Sequence, residues 1–409
     1  IMWSVRIPNS LDSNFYIETN RLAKRLDSSR PTTGARYFIY SKFYEDIYAY
    51  NEYLDSKFKF LNSPKIFKNI PFLISEHTGY LYPAKIFDNE KILINHALRH
   101  YKMLENTFKS KSLLGTIGNS FTDYNTTNGF GADDNIAYYG VMDMFRLPKY
   151  AAVIYKLIKH DKPFMEILST LKSGEYENKC LPYVYIATNV EQIRLYRDNK
   201  LIKTYIPSKK RYLKNHLYKI DDFLGDILIK EENFSKLSSK FFKELLPRIY
   251  TNGLNFSLKE KLKIFYILKR HKLTLADLEN LFFKYTSMDV TYRFDGIIKG
   301  VVAITKVVST NKKIDYEIII DKEELEHDDT YDATRITIKK IDQDGNILRY
   351  GCDSVKVSVS KTLEILGEET FALHGGMAAF WVRSKEKNTI GEIKIKINEH
   401  EFYKTIKIR

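Results

Sequence analysis

The sequence predicts a multidomain fold in which a parallel sheet of βα units precedes two regions of mainly antiparallel sheet. Three observations support this class. The chain has 409 residues, enough for two to four domains at roughly 150 residues each. Short apolar runs alternate with amphipathic stretches through about residue 160, which is typical of βα units. Beyond that point, short strands joined by polar turns are typical of β-sandwiches.

The first region, residues 1–165, contains five strand-like runs and two strong helical patterns. Five strands are too few to close an eight-stranded barrel by themselves. We therefore expect a partial parallel sheet here. The strands are predicted at residues 1–5, 33–39, 46–50, 70–75 and 113–117, and the helices at residues 14–26 and 89–106.

The second region, residues 166–312, is predicted to be a sandwich with a helical insertion at about residues 220–287. Ser257 and Glu260 have the spacing of a helix capping box. The third region, residues 313–409, reads as strands throughout, with a hairpin at Asp344-Gly345. The strands are predicted at residues 183–187, 192–197, 201–206, 290–294, 300–308, 315–320, 334–342, 355–360 and 392–398.

The charge is 65 − 51 = +14, but the basic residues are spread along the chain. The one tight run comprises Lys209, Lys210, Arg211 and Lys214. Because no nucleic-acid-binding motif accompanies the charge, we interpret it as a solvated surface and expect no nucleic-acid partner. A polyanion-binding surface at residues 209–214 is the minor alternative.

No apolar run approaches the roughly 18 residues of a membrane span, so we expect no membrane partner. Cys180 and Cys352 are too far apart in sequence for a zinc or disulfide pattern. We expect two reduced, buried thiols and a cytoplasmic location. The chain starts at Ile1 with no signal peptide, and residues 1–4 resemble the middle of a buried strand. It is therefore expected to be the carboxy-terminal portion of a longer protein, or a trimmed version of one.

The most informative stretch is residues 71–77, where an apolar run leads directly into Glu76. In a parallel sheet that is buried on both faces, the carboxyl ends of the strands form the edge at which ligands bind. A carboxylate there is a candidate catalytic group. A helix cap or an ion-pair partner is the alternative interpretation.

Polar side chains also follow the other strands of this region. Such a set suits a polyhydroxylated ligand, although the same residue types are common at loop entries. They are Asn9 and Ser10 after the first strand, Asn51, Glu52 and Tyr53 after the third, and Asn119, Asp123, Tyr124 and Asn125 after the fifth.

Several of these motifs resemble glycoside hydrolase family 2, the β-galactosidase and β-glucuronidase group. The resemblance covers nearly the whole chain and keeps the family's motif order. It implies a partial (β/α)8 barrel, about strands 4–8, followed by two immunoglobulin-like sandwiches. The matching segments are residues 2–10, 26–32, 75–77, 140–149, 185–201, 334–345 and 373–376.

The resemblance implies a retaining hydrolysis of terminal β-linked sugars, most simply β-galactosides, by two carboxylates. Glu76 is then the nucleophile, and Tyr53 is expected to donate a hydrogen bond to it. His77 is expected to shape the adjacent wall. The residues expected to bind substrate are Asn51, Tyr53, His77, Asn119 and Asp123. No metal or other cofactor is expected.

Two positions depart from the family pattern. Asn9 occupies the position of the acid/base glutamate, and an amide cannot donate a proton near neutral pH. Asn119 stands where the family has a tryptophan, whereas Asp123 is retained. Asp12 and Glu52 are the nearest alternative acids, with solvated loop carboxylates as the simpler interpretation.

These departures leave two functions open. The first is a β-galactosidase-like enzyme, impaired because Asn9 replaces the acid/base and because barrel strands 1–3 are absent from the sequence. The second is a non-catalytic remnant that binds carbohydrate. A homo-oligomer, or an amino-terminal portion that completes the barrel, is the expected protein partner. Alone, the chain is expected to be unstable, since a partial barrel exposes its edges.

Overall fold

The computed structural model describes residues 1–38, 41–53, 70–79, 82–111, 113–127, 135–171, 183–208, 212–213, 215–253, 255–286 and 290–409. The chain divides into two compact units. Unit 1 is Ile1–Ile158 with Lys210–Lys214, and unit 2 is Lys159–Lys209 with Asn215–Arg409.

Unit 1 is built on five parallel strands whose order in the sheet is their order in the chain. All five carboxyl ends therefore lie at one edge. Within the described residues, the first and last strands pair on one side only, so both sides of the sheet are open. The strands are β1 (Trp3–Ser4), β2 (Thr32–Gly34), β3 (Ile47–Glu52), β4 (Phe72–His77) and β5 (Leu113–Gly118).

Within the described residues, three helices and a short ribbon complete unit 1. Asp12 caps the first helix by accepting a hydrogen bond from the Phe15 N–H, and Asn89 caps the second in the same way. The elements are α1 (Ser13–Leu26), α2 (Glu90–Lys109), α3 (Tyr150–Lys156), β6 (Tyr124–Asn125) and β7 (Ile136–Ala137).

The strands of unit 1 differ in length from the sequence expectation. β1 has two residues instead of five, and β2 ends at Gly34 instead of residue 39. The reason lies in a buried ion cluster of Arg6, Glu45 and Arg36. Glu45 accepts from the Arg6 Nε at 2.6 Å and from an Arg36 terminal nitrogen at 2.8 Å, so the residues just beyond both strands are anchored to a buried carboxylate. A Cβ on Gly34 would lie 2.3 Å from the Cβ of Arg6.

Unit 2 begins with two sheets packed face to face around a shared apolar core that includes Ile186, Leu195 and Phe294. Along residues 192–197, half-buried and buried side chains alternate, so every second residue of this strand faces the core. One sheet holds β8 (Met165–Ile167), β9 (Val184–Thr188) and β12 (His216–Ile220). The other holds β10 (Gln192–Arg197), β11 (Lys200–Tyr205), β13 (Tyr292–Ile298) and β14 (Val301–Val308).

Four helices lie between β12 and β13, in the stretch for which the sequence predicts a helical insertion. They have their own core around Phe242, Ile267 and Leu278. The capping box of Ser257 and Glu260 is confirmed. The helices are α4 (Ile227–Glu231), α5 (Lys236–Asn252), α6 (Leu258–His271) and α7 (Leu275–Tyr285).

The chain ends in a second sandwich, whose core contains sixteen buried residues such as Ile338, Val382 and Ile395. Gly345 has φ +77° in the turn predicted after β17, where a glycine is favoured. The strands are β15 (Ile314–Ile320), β16 (Glu324–Leu325), β17 (Ala333–Asp342), β18 (Ser354–Val359), β19 (Leu363–Leu366), β20 (Thr370–Ala372), β21 (Met377–Ser384), β22 (Thr389–Ile397) and β23 (His400–Ile408).

The described residues allow two sequence expectations to be compared with the structure. None of their helices is both long enough and apolar enough to cross a bilayer. The expectation that Cys352 is buried is wrong: the residue lies exposed in the loop between β17 and β18. Cys180 and the basic cluster of Lys209, Lys210, Arg211 and Lys214 lie outside the described residues.

Candidate active site

Glu76 lies near the carboxyl end of β4 and is half-buried. The Tyr53 hydroxyl donates a hydrogen bond to its Oε2. The Asn119 Nδ2 donates to the same oxygen at 3.2 Å. Two neutral donors from the strands on either side of β4 thus converge on one carboxylate oxygen. Such an arrangement holds an ionised carboxylate in one orientation.

Tyr53 lies at the carboxyl end of β3. Burial, together with the hydrogen bond to Glu76, raises the pKa of its hydroxyl. The phenol therefore stays protonated and remains a donor at neutral pH. Its ring also contacts the ring of Tyr37, with 6.0 Å between the centroids.

Asn119 directly follows β5, and its backbone N–H donates to the His77 carbonyl at 3.1 Å. Its side chain is confined by Gly79, because a Cβ at position 79 would lie only 2.9 Å from the Asn119 Nδ2. The glycine leaves the space through which the amide reaches Glu76. Gly79 is a residue that sequence reasoning missed, and no local pattern marks it.

Asn51 is the register partner of Glu76 across β3 and β4. Its Oδ1 accepts a hydrogen bond from the Ser75 hydroxyl at 2.8 Å, and its backbone N–H donates to the Arg36 carbonyl at 3.0 Å. Its Nδ2 is buried, with no partner among the described residues.

His77 is fully buried, and its ring packs against that of His100 on α2, with centroids 5.4 Å apart. His100 contacts His96 in turn at 3.3 Å between the two Nε2 atoms, and its Nδ1 lies 2.9 Å from the Tyr155 hydroxyl. Burial lowers the pKa of His77 and of His96 to about 3, and that of His100 below its ordinary value. This histidine column supports β4 and β5 from within unit 1.

Sequence reasoning missed the other members of the column. His96 and His100 are spaced i, i+4 on a predicted helix, and that spacing was the available signal. The Tyr155 hydroxyl also fixes Gly118, because a Cβ at that position would lie 2.1 Å from it. The column therefore abuts both strand ends that bear Glu76 and Asn119.

Asp123 is buried and accepts a hydrogen bond from the Lys149 Nζ at 2.6 Å and from the Gly140 N–H at 2.9 Å. Burial raises the pKa of Asp123 to about 6, despite the opposing effect of Lys149. Gly140 and Lys149 delimit the segment singled out in the sequence. Asp123 thus ties that segment to the loop after β5, and no hydrogen bond joins it to Glu76 in the described structure.

Asn9 lies exposed in the turn after β1. The preceding Pro8 carbonyl accepts a hydrogen bond from the Tyr37 N–H at 3.2 Å. Since Tyr37 contacts Tyr53, and Tyr53 binds Glu76, a short chain of contacts links the turn of Asn9 to Glu76. The turn and the carboxylate are therefore at the same edge of the sheet.

The two alternative acids have different surroundings. Asp12 caps α1, which favours its interpretation as a solvated loop carboxylate over a role as the acid of the site. Glu52 is buried at the end of β3 and raises the pKa of the neighbouring Tyr50, after the larger effect of burial. Across the described ranges, the histidines, cysteines and carboxylates form no group that could hold a metal ion.

Comparison with known proteins gives the family context. No family model matches the chain. The β-galactosidase of Thermoanaerobacter pseudethanolicus is 29% identical over 408 residues, which are 98% of this chain and 47% of that protein. The chain thus spans about half the length of the curated relatives it matches.

Solved structures show a similar fold. A β-glycosidase from Bacteroides vulgatus superposes with a TM-score of 0.65 at 15% identity, covering 100% of this chain and 51% of that one. A glycosyl hydrolase family 2 member from Bacteroides cellulosilyticus gives 0.59 at 13% identity, covering 100% and 49%. The resemblance to glycoside hydrolase family 2 is therefore confirmed: this chain is a homologue of curated β-galactosidases, and it shares the fold of members of that family.

Proposed function

We propose that unit 1 carries the nucleophile side of a retaining β-galactosidase-like site, with Glu76 as the nucleophile. The observation that carries the proposal is the Glu76 carboxylate, held by Tyr53 and Asn119 at the carboxyl edge of a parallel sheet. A fixed carboxylate with one oxygen saturated by donors leaves its second oxygen to attack an anomeric carbon. Homology to β-galactosidases supports the substrate class.

We further propose that the five strands are about strands 4–8 of a (β/α)8 barrel. The sequential parallel order and the two open sides support this. Side chains on both outer strands are apolar and exposed: Trp3 on β1, and Leu114 and Ile117 on β5. A polypeptide that pairs with β1 and β5 would cover them. A homo-oligomer, two immunoglobulin-like sandwiches and a cytoplasmic location remain predictions.

By resemblance, Asn9 occupies the acid/base position, and its amide cannot donate a proton to the leaving group. The proposed enzyme therefore needs a substrate whose leaving group departs without protonation. A dinitrophenolate departs without protonation, so the attack by Glu76 can proceed. The breakdown of the glycosyl-enzyme by water then lacks a general base. Azide is already anionic and does not need one.

The test is the hydrolysis of dinitrophenyl β-galactoside with and without azide. We expect slow release of dinitrophenolate, and we expect azide to accelerate it. In Glu76→Gln, both the release and its acceleration by azide should be lost. Glu18→Gln, an exposed carboxylate on α1, is the matched control and should behave as wild type. Asn9→Glu should raise turnover by water about 10²–10⁴-fold and remove the effect of azide. Turnover that survives Glu76→Gln would refute the role of Glu76.

The second candidate, a carbohydrate-binding remnant without catalysis, is favoured by Asn9 and by the buried Asn51 amide nitrogen, which has no partner among the described residues. Calorimetric titration with galactose distinguishes the two. Saturable heat without turnover of the aryl galactoside, lost in Asn51→Ala, supports the remnant. Absence of heat at saturating sugar rejects it.

A further inference from the structure

The helices of unit 2 contain an apolar groove that the proposed glycosidase function does not use. It has a volume of about 700 Å³ and lies among α5, α6 and α7. Ten of its thirteen lining residues are apolar, and the polar ones are Lys261, Glu279 and Thr286. Six of the apolar lining residues belong to the core of these helices or pack against it, whereas Phe265, Leu275 and Phe283 are exposed.

The residues that line the groove follow helical spacing on both walls. On α6 they are Lys261, Ile264, Phe265 and Leu268, at i, i+3, i+4 and i+7. On α7, Leu275, Leu278, Glu279 and Phe282 repeat the same spacing. Apart from the buried Leu278, these two seams form a surface into which an amphipathic helix can lay its apolar face.

The apolar surface extends beyond the groove itself. Phe265 and Phe283 line it, yet 61% and 66% of their surfaces are exposed. Leu258 and Leu262 continue the stripe on α6 and are 75% and 61% exposed. A small molecule that filled the groove would leave these leucines in water. An elongated occupant covers both.

The charge of the helical region selects the kind of occupant. Residues 236–286 contain eleven Lys and Arg and four Asp and Glu, which gives 11 − 4 = +7. Two of these lysines pair with acids outside the range, Lys243 with Asp222 and Lys284 with Glu232, which leaves 7 − 2 = +5. A second copy of the chain would bring the same positive charge and be repelled. A bilayer is flat and does not fill a concave groove. An acidic helix matches both the shape and the charge.

We propose that α5, α6 and α7 form a docking groove for an acidic amphipathic helix of a partner protein. Its leucine-type side chains occupy the groove between Phe265 and Phe283. Its carboxylates face the lysines on the rim, of which Lys261 lines the groove and Lys269 lies 5.9 Å from the ring centroid of Phe265. Apolar burial stabilises the complex, and the opposite charges of the two partners increase its rate of formation.

The test uses the full chain and a fluorescent synthetic peptide of 14 residues, which matches the length of α6 at about 1.5 Å per residue. The peptide has Leu at i, i+3, i+4 and i+7 and Glu elsewhere. We expect saturable binding by fluorescence anisotropy, weakened by salt. The same peptide with Lys for every Glu should bind at least about tenfold more weakly. A scrambled peptide without the apolar stripe should not bind.

Two variants locate the binding. Phe265→Glu and Phe283→Glu alter exposed helical positions, and Glu is at least as favourable as Phe in a helix, so folding is retained. Each should weaken binding of the acidic peptide at least about tenfold, as an apolar anchor does when a charge replaces it. The matched control is Leu201→Glu, an exposed position on β11 outside the groove, which should bind as wild type.

Four outcomes would overturn the proposal. The first is that the scrambled peptide binds as tightly as the acidic peptide. The second is that both Phe variants bind the acidic peptide as wild type does. The third is that the free chain dimerises and that Phe283→Glu abolishes the dimer. The fourth is cosedimentation with phosphatidylglycerol vesicles, lost in Phe283→Glu, while the acidic peptide does not bind. The last two would identify a second copy or a membrane as the occupant instead.

Discussion

The core of unit 1 contains several buried ion pairs and histidines, whereas the last sandwich of unit 2 is packed mainly with apolar side chains. Arg6, Glu45 and Arg36 lie inside unit 1 together with the histidine column and the Asp123–Lys149 pair. The last sandwich instead contains sixteen buried apolar residues drawn from both of its sheets. Unit 1 also leaves the outer sides of β1 and β5 unpaired within the described residues.

This difference predicts which kind of change destabilises each unit. Buried charges are stable only while every partner is present, since removing one leaves another uncompensated. A packed aliphatic core depends on volume instead, and it is indifferent to pH. The two units therefore respond to different perturbations. The chain offers a separate reporter for each, because one of its two tryptophans, Trp3, is in unit 1 and Trp381 is in unit 2.

A large effect is expected from truncating the core of unit 2. Ile395→Ala removes a fully buried side chain on β22 and should lower the free energy of unfolding by about 2–5 kcal/mol. Urea denaturation followed by Trp381 fluorescence in a Trp3→Phe background measures it. Ile390→Ala, on the same strand but 61% exposed, is the control and should change stability by less than about 0.5 kcal/mol. Equal losses in both variants would contradict the packing of this sandwich.

A loss of about 3–5 kcal/mol is expected in unit 1 from Glu45→Gln. The change leaves the buried guanidinium groups of Arg6 and Arg36 without their carboxylate. Burial by itself would raise the pKa of Glu45, but Arg36 and the other donors hold it below its ordinary value. The measurement is denaturation followed by Trp3 in a Trp381→Phe background.

The control for Glu45→Gln is Glu18→Gln, which breaks an exposed pair with Arg21 and should cost at most about 1 kcal/mol. If Glu45→Gln left unit 1 as stable as this control does, the ion cluster would not be the element that stabilises the loop after β2.

The smallest effect is expected from pH, and it should separate the units. The buried neutral His77 and His96 have pKa values of about 3, against about 6.5 when unfolded. The unfolded state therefore binds the protons first, and unit 1 loses stability as pH falls below 6.5. One pKa unit corresponds to about 1.4 kcal/mol, so each of these histidines costs roughly that amount at pH 5.5.

Asp123 acts in the opposite direction, because its pKa is raised to about 6 and it takes up a proton in the folded state. It offsets part of the loss below pH 6. The six histidines of unit 2 are half-buried or exposed, so unit 2 should change little. Denaturation midpoints from Trp3 and from Trp381 between pH 7.5 and 5.5 provide the check. A parallel fall in both would show that the histidine column is not the cause.

Much of the fold follows from the sequence because its periodicities are strong. The apolar run of residues 72–74 is typical of a strand that is buried on both faces, and the Ser257–Glu260 spacing indicates a helix start. Strand lengths in unit 1 were not predictable. They depend on Arg6 and Arg36 turning inward to Glu45, a contact across 39 and 9 residues that no local pattern encodes.

The candidate site was predictable only in part. A carboxylate after an apolar strand, with Tyr53 and Asn119 at neighbouring strand ends, could be identified from the order of residues. The histidine column and Gly79 could not, because their importance arises from contacts between distant segments. The burial of His77 illustrates the difference: its neighbour Glu76 faces the site edge, while His77 packs against α2.

The close approach of Gly79 to the Asn119 amide has an evolutionary consequence. A Cβ at position 79 cannot coexist with the Asn119 side chain in its present place. Among homologous sequences, position 79 should therefore be free to vary only where residue 119 also changes. Substitutions at positions 79 and 119 should therefore occur together in the same homologues.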